Sequence, residues 1–347
     1  MNPRQLAILE YAKQYQEFQT KDILEFFVWK FDVERMTVIR DLWWLVELHL
    51  LSQSGKGRSA KYLFTETSKI FEPIDIDTYF TTPYDRRQAL TSFNFDIFEI
   101  LQEVDIFSPA EIQKLEQLHQ QFVSNISQYD SQTLINKEYE RIMIEFSWKS
   151  ASIEWNTYSL LATEALLTAN IPDASKTPEE TQMILNHKDA FNETLLNLDR
   201  FHELKLANIE YLHHTLTKKL WIGANIRKHS VWVTGTQYKP LDNQFQIQDA
   251  LQAMTNLINH KSNFFEKAFI ALLMISYIQG FEDGNKRTAR MLTNAILLAH
   301  NSIPLSYRWV DIVASKKATI LFYEQNNLCV RVIFFFYHYH KSCCCSE

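Results

Sequence analysis

The chain has 347 residues, enough for two or three domains that each bury a core of their own. Its 46% hydrophobic and 14% aromatic content predicts ordered globular structure. No apolar run approaches the roughly 20 residues that cross a bilayer, and no signal-peptide pattern begins the chain, so a cytoplasmic protein is expected. A net charge of −6 gives no overall attraction to nucleic acid. Only six glycines occur, which favours a mainly α fold.

The first 70 residues predict three helices followed by a β-hairpin. Asn2 and Pro3 are an N-cap followed by proline at the first helical position, and apolar residues recur at helical spacing as far as Leu48. Two short strand-like runs then surround a basic glycine turn at residues 55–57. This order of elements indicates a winged helix-turn-helix domain, with a third helix from Glu34 to Leu48. The pattern from Val33 to Leu45 resembles the third helix of DeoR-like regulators.

The charge of this region leaves its partner open. Residues 1–64 contain nine Lys or Arg and eight Asp or Glu, a net charge of +1. Five basic side chains are candidates for DNA phosphate contacts, namely Arg35, Arg40, Lys56, Arg58 and Lys61. Near-neutral winged helices also serve as protein-docking modules, so both DNA and a protein remain candidate partners.

The rest of the chain divides by composition. Residues 71–134 are expected to form a linker, marked by Pro73 and Pro83, followed by a helical segment. Residues 329–347 end in the run from Cys343 to Cys345, whose spacing suits neither a disulfide framework nor a zinc site. An atypical, exposed tail without a redox or metal role is expected there.

The most informative stretch is the polar segment 279–290, which lies between two apolar helical segments. A helix start presents unpaired backbone N–H groups to an anion, Gly284 permits close backbone approach, and Asn285 adds amide donors. Arg287 and Arg290 share one helix face and can bind phosphate oxygens. Spacing alone is equally compatible with a capped helix that carries a surface arginine pair.

The same segment contains a carboxylate, Asp283, that suits a phosphate-bound Mg²⁺. The segment reads Phe281-x-Asp283-Gly284-Asn285-Lys286-Arg287-x-x-Arg290. This order resembles the motif of the Fic (Fido) family, H-P-F-x-D-G-N-G-R-x-x-R. Most members transfer the AMP of ATP to a hydroxyl side chain of a target protein, so the resemblance implies ATP, Mg²⁺ and a protein partner with a Ser, Thr or Tyr hydroxyl. It implies nucleotide contacts by Gly284, Asn285, Lys286, Arg287, Arg290 and Asn294.

Three positions depart from that motif. Gln279 occupies the place of the histidine base, and a neutral amide holds no proton that it can exchange near pH 7. Loss of a positioned base lowers a rate by about 10²–10⁴. Gly280 replaces a proline. Lys286 replaces a glycine, as in the Doc-like branch of the family, whose product is a phosphorylated target.

A second segment resembles the inhibitory motif of the family, S/T-x-x-x-E-G/N. It comprises Ser150 and Glu154, with Trp155 where glycine or asparagine is usual. The resemblance implies that Glu154 pairs with Arg290 and withholds it from ATP. From the residues alone, a plain helix with an exposed glutamate would be preferred.

A third segment, residues 221–240, alternates apolar and polar residues and predicts a β-hairpin. It resembles the Fic flap, which clamps an extended target segment by adding a strand. Val231, Trp232 and Val233 would form the docking edge. A surface hairpin without that role needs the same residues.

These observations predict a mainly α protein, with a Fic-type helical core and a small β-hairpin flap, preceded by a winged helix domain. The resemblance implies a Fic domain over residues 135–328 that includes the inhibitory helix and the flap. The expected function is that of a self-inhibited ATP-binding protein that adenylylates a protein hydroxyl weakly, if at all. The alternative is a non-catalytic nucleotide-binding regulator that uses the winged helix to bind DNA or a protein.

Overall fold

The computed structural model describes residues 1–15, 17–127 and 132–344. Helices dominate these residues, and the one sheet among them has three short strands. The predicted mainly α class is therefore confirmed. No helix in the described ranges has the length and apolarity of a membrane span.

The N-terminal unit combines three helices with the sheet. Its elements are α1 (Pro3–Gln14), β1 (Phe18–Gln19), α2 (Thr20–Phe27), α3 (Arg35–Glu47), β2 (Ser52–Ser54) and β3 (Lys61–Leu63). The strands lie in the order β1-β3-β2 and are antiparallel, with Phe18 opposite Tyr62 and Gln53 on the other side of Tyr62. The predicted helices and hairpin are present, and the winged-helix assignment stays a prediction.

A separate small core holds this unit together. Ile8, Ile23, Leu42 and Tyr62 are buried in it. Asp41 of α3 is also buried and accepts hydrogen bonds from three side chains at the start of α1, those of Asn2, Arg4 and Gln5. These three hydrogen bonds hold α3 against the N-terminus of α1.

The remaining described chain is helical. Its helices are α4 (Glu66–Lys69), α5 (Ile76–Thr81), α6 (Ile97–Glu103), α7 (Pro109–Ser127), α8 (Gln132–Ile153), α9 (Leu160–Ala169), α10 (Pro178–Leu196), α11 (Leu206–Thr217), α12 (Gln244–His260), α13 (Phe264–Ile278), α14 (Asn285–Ala299), α15 (Ile312–Gln325) and α16 (Cys329–Cys344). The pair α13 and α14 lies at the centre, buried along almost its whole length. Helices α10, α11 and α12 pack around it.

The segment predicted as a linker is packed rather than free. Ile76, Tyr79 and Phe80 contact the buried Ala318 and Leu321 of α15. A buried ion pair, Arg87 to Glu324 at 2.9 Å, adds to this contact. The prolines that suggested a linker interrupt helices without preventing this packing, so the linker prediction is wrong for this stretch.

The C-terminal segment is a packed helix as far as it is described. Val332, Phe335, Tyr339 and Cys343 are buried, and α16 packs along α7. The prediction of an exposed cysteine tail is therefore wrong for Cys343, because every third or fourth residue of α16 is apolar and faces the core. The expectation for Cys345 lies outside the described residues.

The β-hairpin predicted for residues 221–240 is also wrong. This range contains no strand, and Lys239 forms only an isolated parallel bridge with Ser92. The backbone N–H of Arg227 donates to Gly280 O at 3.0 Å, and that of Lys239 donates to Thr91 O at 3.0 Å. The segment therefore bonds to neighbouring loops instead of to itself.

Candidate functional site

The polar segment connects the two central helices through a tight loop. Gln279 ends α13 with a left-handed backbone, at φ 51°. Gly284, at φ +79°, precedes α14, and a Cβ atom there would lie 3.0 Å from Thr217 Cγ2. Both the positive φ and the close neighbour require glycine. The first N–H groups of α14 therefore open onto the loop.

Internal contacts hold this loop in shape. The Asn285 side chain accepts from Phe281 N at 2.9 Å and donates to Phe281 O at 2.8 Å. The Phe281 ring stacks on His213, with centroids 3.8 Å apart, and His213 Nε2 donates to Asp283 O at 3.0 Å. Burial lowers the pKa of His213, so this histidine is a neutral support. The side-chain amide of Asn285 is used within the loop, which leaves its backbone N–H for a ligand.

Arg287 has an unused hydrogen-bond donor. It is 2% exposed, and its Nη2 donates to Asp283 Oδ2 at 3.0 Å. Its Nη1 is buried without a hydrogen-bond partner among the described residues. Burial lowers the pKa of Arg287, yet a guanidinium stays charged in proteins. A positive group with a spare donor beside a helix start suits an anion.

Arg290, one turn further along α14, is held by α8. Its Nε donates to Ser150 Oγ and its Nη2 to Ser150 O, both at 2.9 Å. Nη2 also donates to Glu154 Oε1 at 2.9 Å. Burial of Glu154 disfavours its charged form, but the positive charges of Arg290 and Lys286 outweigh that effect and lower the pKa of the carboxyl. The predicted contact between Glu154 and Arg290 is thus present.

Sequence reasoning missed the support behind this pair. His187 of α10 is fully buried, with Nδ1 2.8 Å from Met183 O and Nε2 3.0 Å from Ser150 Oγ. Burial lowers the pKa of His187 to about 3, so the ring is neutral and donates through Nδ1. Its Nε2 then accepts from the Ser150 hydroxyl, which leaves Ser150 Oγ to accept from Arg290. No local pattern in the sequence signals a contact between residues 37 positions apart.

The end of α8 has an unusual backbone. Trp155 adopts φ 72°, in the left-handed region that non-glycine residues rarely occupy. Its side chain is 81% exposed, and Lys316 Nζ lies 4.0 Å from the ring centroid, a cation–π contact with α15. The left-handed conformation explains why glycine or asparagine suits this position.

Gln279 lies at the cavity wall but acts as a structural amide. Its Nε2 donates to Ser276 O at 2.6 Å and contacts Tyr323 Oη at 3.4 Å. The backbone carbonyl of Gln279 accepts from Arg227 Nε at 2.6 Å. Arg227 is 2% exposed and also donates to the carbonyls of His229 and Leu241. This buried arginine, which sequence reasoning did not identify as a support, anchors residues 227–241 to the loop.

Asn294 is not at the site. It is fully buried, and its Oδ1 and Nδ2 bond to the N–H and carbonyl of Leu305 at 2.8 and 3.0 Å. It is also absent from the described residues that line the cavity. The prediction that Asn294 contacts the nucleotide is therefore wrong for this structure, because its amide fixes the chain after α14.

A cavity of about 580 Å³ joins these features. The range for pockets that enclose small molecules is about 300–1,000 Å³. Predicted site residues on its wall are Glu154, Val231, Trp232, Val233, Gln279, Asp283, Gly284, Asn285, Lys286, Arg287 and Arg290. Other wall residues come from α13, α15 and α16, including Ser276, Lys316, Tyr323 and His338. The structure therefore brings all the predicted site residues except Asn294 together.

The fold and site define a helical domain that presents a helix N-terminus and two buried arginines to a cavity. Residues 203–297 match the Fic/DOC family. The chain therefore contains a Fic/DOC family domain, as the motif at residues 279–290 indicated.

Named relatives agree with this assignment. The chain is 27% identical over 194 residues to the protein adenylyltransferase Fic of Aedes aegypti, covering 53% of this chain and 38% of that relative. It therefore spans less than half the length of that protein.

Two solved structures share the fold. The Fic-1 fragment of C. elegans superposes with a TM-score of 0.55 at 19% identity, covering 68% of this chain and 71% of the other. A Fic domain containing signaling protein of Bacteroides thetaiotaomicron superposes with a TM-score of 0.53 at 18% identity, covering 67% and 94%. At these identities the likeness concerns the fold alone.

Proposed function

We propose that this chain binds ATP in the cavity and resembles enzymes that transfer AMP to a hydroxyl side chain of a protein. We further propose that it is self-inhibited and that Gln279 impairs transfer. The observation that carries this proposal is the contrast between Arg287, whose Nη1 has no partner among the described residues, and Arg290, which Glu154 holds at 2.9 Å. The name of the Aedes aegypti relative supports AMP as the transferred group.

The chemistry of the Gln279 side chain supports the proposal that catalysis is impaired. Its amide already donates to Ser276 O, and an amide neither accepts nor releases a proton near pH 7. A target hydroxyl at this position would keep its proton. Phosphate binding does not depend on that proton, so ATP binding survives the substitution while transfer is slow or absent.

Asp283 fits a Mg²⁺ ion that arrives with ATP. Its side chain is 71% exposed and lies at the cavity wall, and its Oδ2 accepts from Arg287. Mg²⁺ binds through one or two carboxylates together with phosphate oxygens and water. No cluster of three metal-binding side chains occurs in the described ranges, so the ion would depend on the phosphates. Bound there, it would neutralise phosphate charge.

The segment Val231–Val233 is the proposed docking edge for a protein target. It lines the cavity, and Trp232 is 81% exposed. No backbone–backbone hydrogen bond joins these three residues to any other described residue. An extended target segment can therefore pair with this backbone, although the segment forms no hairpin of its own.

Incubation of the protein with α- or γ-labelled ATP in a cell lysate tests the transfer. Label from the α-phosphate on protein supports AMP transfer. Label from the γ-phosphate alone supports the Doc-like phosphate transfer that Lys286 suggested. Neither label, with ATP binding intact by calorimetry, supports the non-catalytic alternative.

That alternative involves the N-terminal unit, which we propose is a winged helix that contacts DNA or a protein. In favour of DNA, the loop between β2 and β3 exposes Lys56 and Arg58. Lys61 is less available, because its Nζ lies 2.5 Å from Glu17 Oε1. In favour of a protein, Met36 and Trp43 of α3 are 60% and 62% exposed, and apolar surface suits a protein partner.

The full-length variant Lys56→Ala with Arg58→Ala separates these partners. If the loop binds duplex phosphates, affinity for DNA should fall, and the salt slope should decrease by about one for each phosphate that the loop no longer neutralises. No DNA binding at low salt by the unmodified chain would leave the protein-docking function.

A further inference from the structure

Part of the cavity wall comes from α16, which lies outside the residues that match the Fic/DOC family. This helix contributes Phe334, Phe335 and His338. His338 is 5% exposed, so nearly all of its side chain is enclosed.

His338 has an unused ring nitrogen. Its Nε2 is buried and has no hydrogen-bond partner within the described part of the chain. Burial, together with the positive charge of Lys149, lowers the pKa of His338 to about 4. The ring is therefore neutral at pH 7, with one nitrogen able to donate and the other able to accept. A buried polar atom without a partner is costly, and a ligand in the cavity can supply that partner.

The surroundings of this nitrogen favour a flat ring. The ring centroids of Tyr307 and Phe334 lie 6.1 and 5.9 Å from that of His338. Leu305 and Val310 add apolar side chains to the wall of the same cavity. Apolar and aromatic walls with one polar group are typical of sites that bind a heteroaromatic ring in a defined orientation.

We propose that the α16 end of the cavity binds the base of the nucleotide and that His338 Nε2 makes its one polar contact there. The proposal rests on the proposed ATP binding, and names the residue that recognises the ring. Arg287 would hold the phosphates, and the aromatic wall of α16 would enclose the base. Asn294, for which the family resemblance implied a nucleotide contact, is bonded to Leu305 instead.

The test separates base recognition from phosphate binding. ATP and inorganic triphosphate are titrated by calorimetry into the full chain carrying Glu154→Gly, so that Arg290 is released, with and without His338→Phe. Phenylalanine retains the aromatic shape and removes both ring nitrogens. We expect His338→Phe to lower ATP affinity about fivefold, the effect of one net hydrogen bond, and to leave triphosphate affinity unchanged.

Two variants provide controls. His340→Phe is the same substitution on α16, at a residue outside the described cavity wall, and should leave both affinities unchanged. Arg287→Ala should lower both. Unchanged ATP binding by His338→Phe, or an equal reduction for ATP and triphosphate, would overturn the proposed role of His338 but not the proposed ATP site. Failure of the parent chain to bind either ligand would overturn the proposed ATP site as well.

Photolabelling does not depend on how His338→Phe folds. The Glu154→Gly chain is irradiated with 8-azido-ATP and digested, and the labelled peptides are sequenced. Label within residues 329–344 supports the proposal. Label confined to other segments overturns it.

Discussion

Arg287 and Arg290 lie three residues apart on α14 and are both buried, yet their surroundings differ. Arg290 donates to the backbone and hydroxyl of Ser150 and to the carboxylate of Glu154. Arg287 has Asp283 as its partner and keeps Nη1 unpaired among the described residues. The two arginines of one motif therefore differ in their hydrogen bonding: Arg290 is bonded to Ser150 and Glu154, whereas Arg287 keeps a buried donor for a ligand. The difference comes from α8, which reaches one of them and not the other.

This contrast has an energetic consequence. A ligand at Arg287 gains a donor that is already desolvated, whereas a ligand at Arg290 must first displace Glu154. Breaking a buried ion pair leaves one charge without its partner, which costs about 3–5 kcal/mol when both groups are fully enclosed. Glu154 is 23% exposed, so solvent reduces that cost. Under the proposed function, Glu154 would therefore compete with a phosphate for Arg290.

The largest effect is expected when the competing carboxylate is removed and a base is restored together. Glu154→Gly frees Arg290, and Gln279→His supplies an imidazole at the cavity wall. Each single change leaves the other fault in place, so little label transfer is expected from either. The double variant should transfer label from ATP about 10²–10⁴ times faster than either single variant, a non-additive gain.

The matched control adds Arg287→Ala to that double variant and should remove the gain. Vigorous transfer by Glu154→Gly alone would contradict the argument that Gln279 disables the chemistry. A double variant that binds ATP and transfers nothing would shift the fault to Gly280 or Lys286 and support the non-catalytic alternative.

A smaller effect is expected when each arginine is removed in turn. Arg287→Ala should weaken ATP binding by more than about 1 kcal/mol, because it removes a charge-assisted hydrogen bond. Arg290→Ala should cost less in the unmodified chain, since α8 already occupies that side chain. In the Glu154→Gly background the two reductions in affinity should become similar. The contrast between the two arginines would be contradicted if calorimetry found that Arg287→Ala and Arg290→Ala weaken ATP binding equally in the unmodified chain as well.

The sequence was sufficient to predict where the two arginines lie and which carboxylate contacts Arg290. Helical spacing placed Arg287 and Arg290 on one buried helix, and the family motif directed attention to Glu154. These are local signals, because residues within two turns of a helix have fixed relative positions. The phosphate roles of both arginines remain predictions.

Contacts between distant segments account for what the sequence did not reveal. His187 supports Ser150 from another helix, and Arg227 anchors a loop to the carbonyl of Gln279. Asn294 bonds to Leu305, although the family resemblance implied a nucleotide contact. Periodicity reports which face of an element is buried, and not which neighbour that face meets.

The hairpin error has the same origin. Alternation at residues 221–240 predicted strands, but Arg227 and Lys239 donate their backbone N–H groups to other loops. Alternating polarity describes any extended segment with one side against the core. Pairing within the segment depends on partners that alternation does not specify.

The smallest effect concerns Trp155, which follows Glu154 just beyond the end of α8. Trp155 has φ 72°, a conformation that costs a non-glycine residue about 1–2 kcal/mol, and its ring gains a cation–π contact with Lys316. Trp155→Gly and Trp155→Ala both remove the ring, but only glycine also removes the strain. We therefore expect the glycine variant to have the higher free energy of unfolding, by about 1 kcal/mol. Trp232 is equally exposed, at 81%, but has no positive φ. Of Trp232→Gly and Trp232→Ala, the alanine variant should therefore be the more stable. Denaturant unfolding that ranks both pairs alike would show that the strain at Trp155 does not exist in solution, and the end of α8 would then hold Glu154 against Arg290 without a backbone penalty.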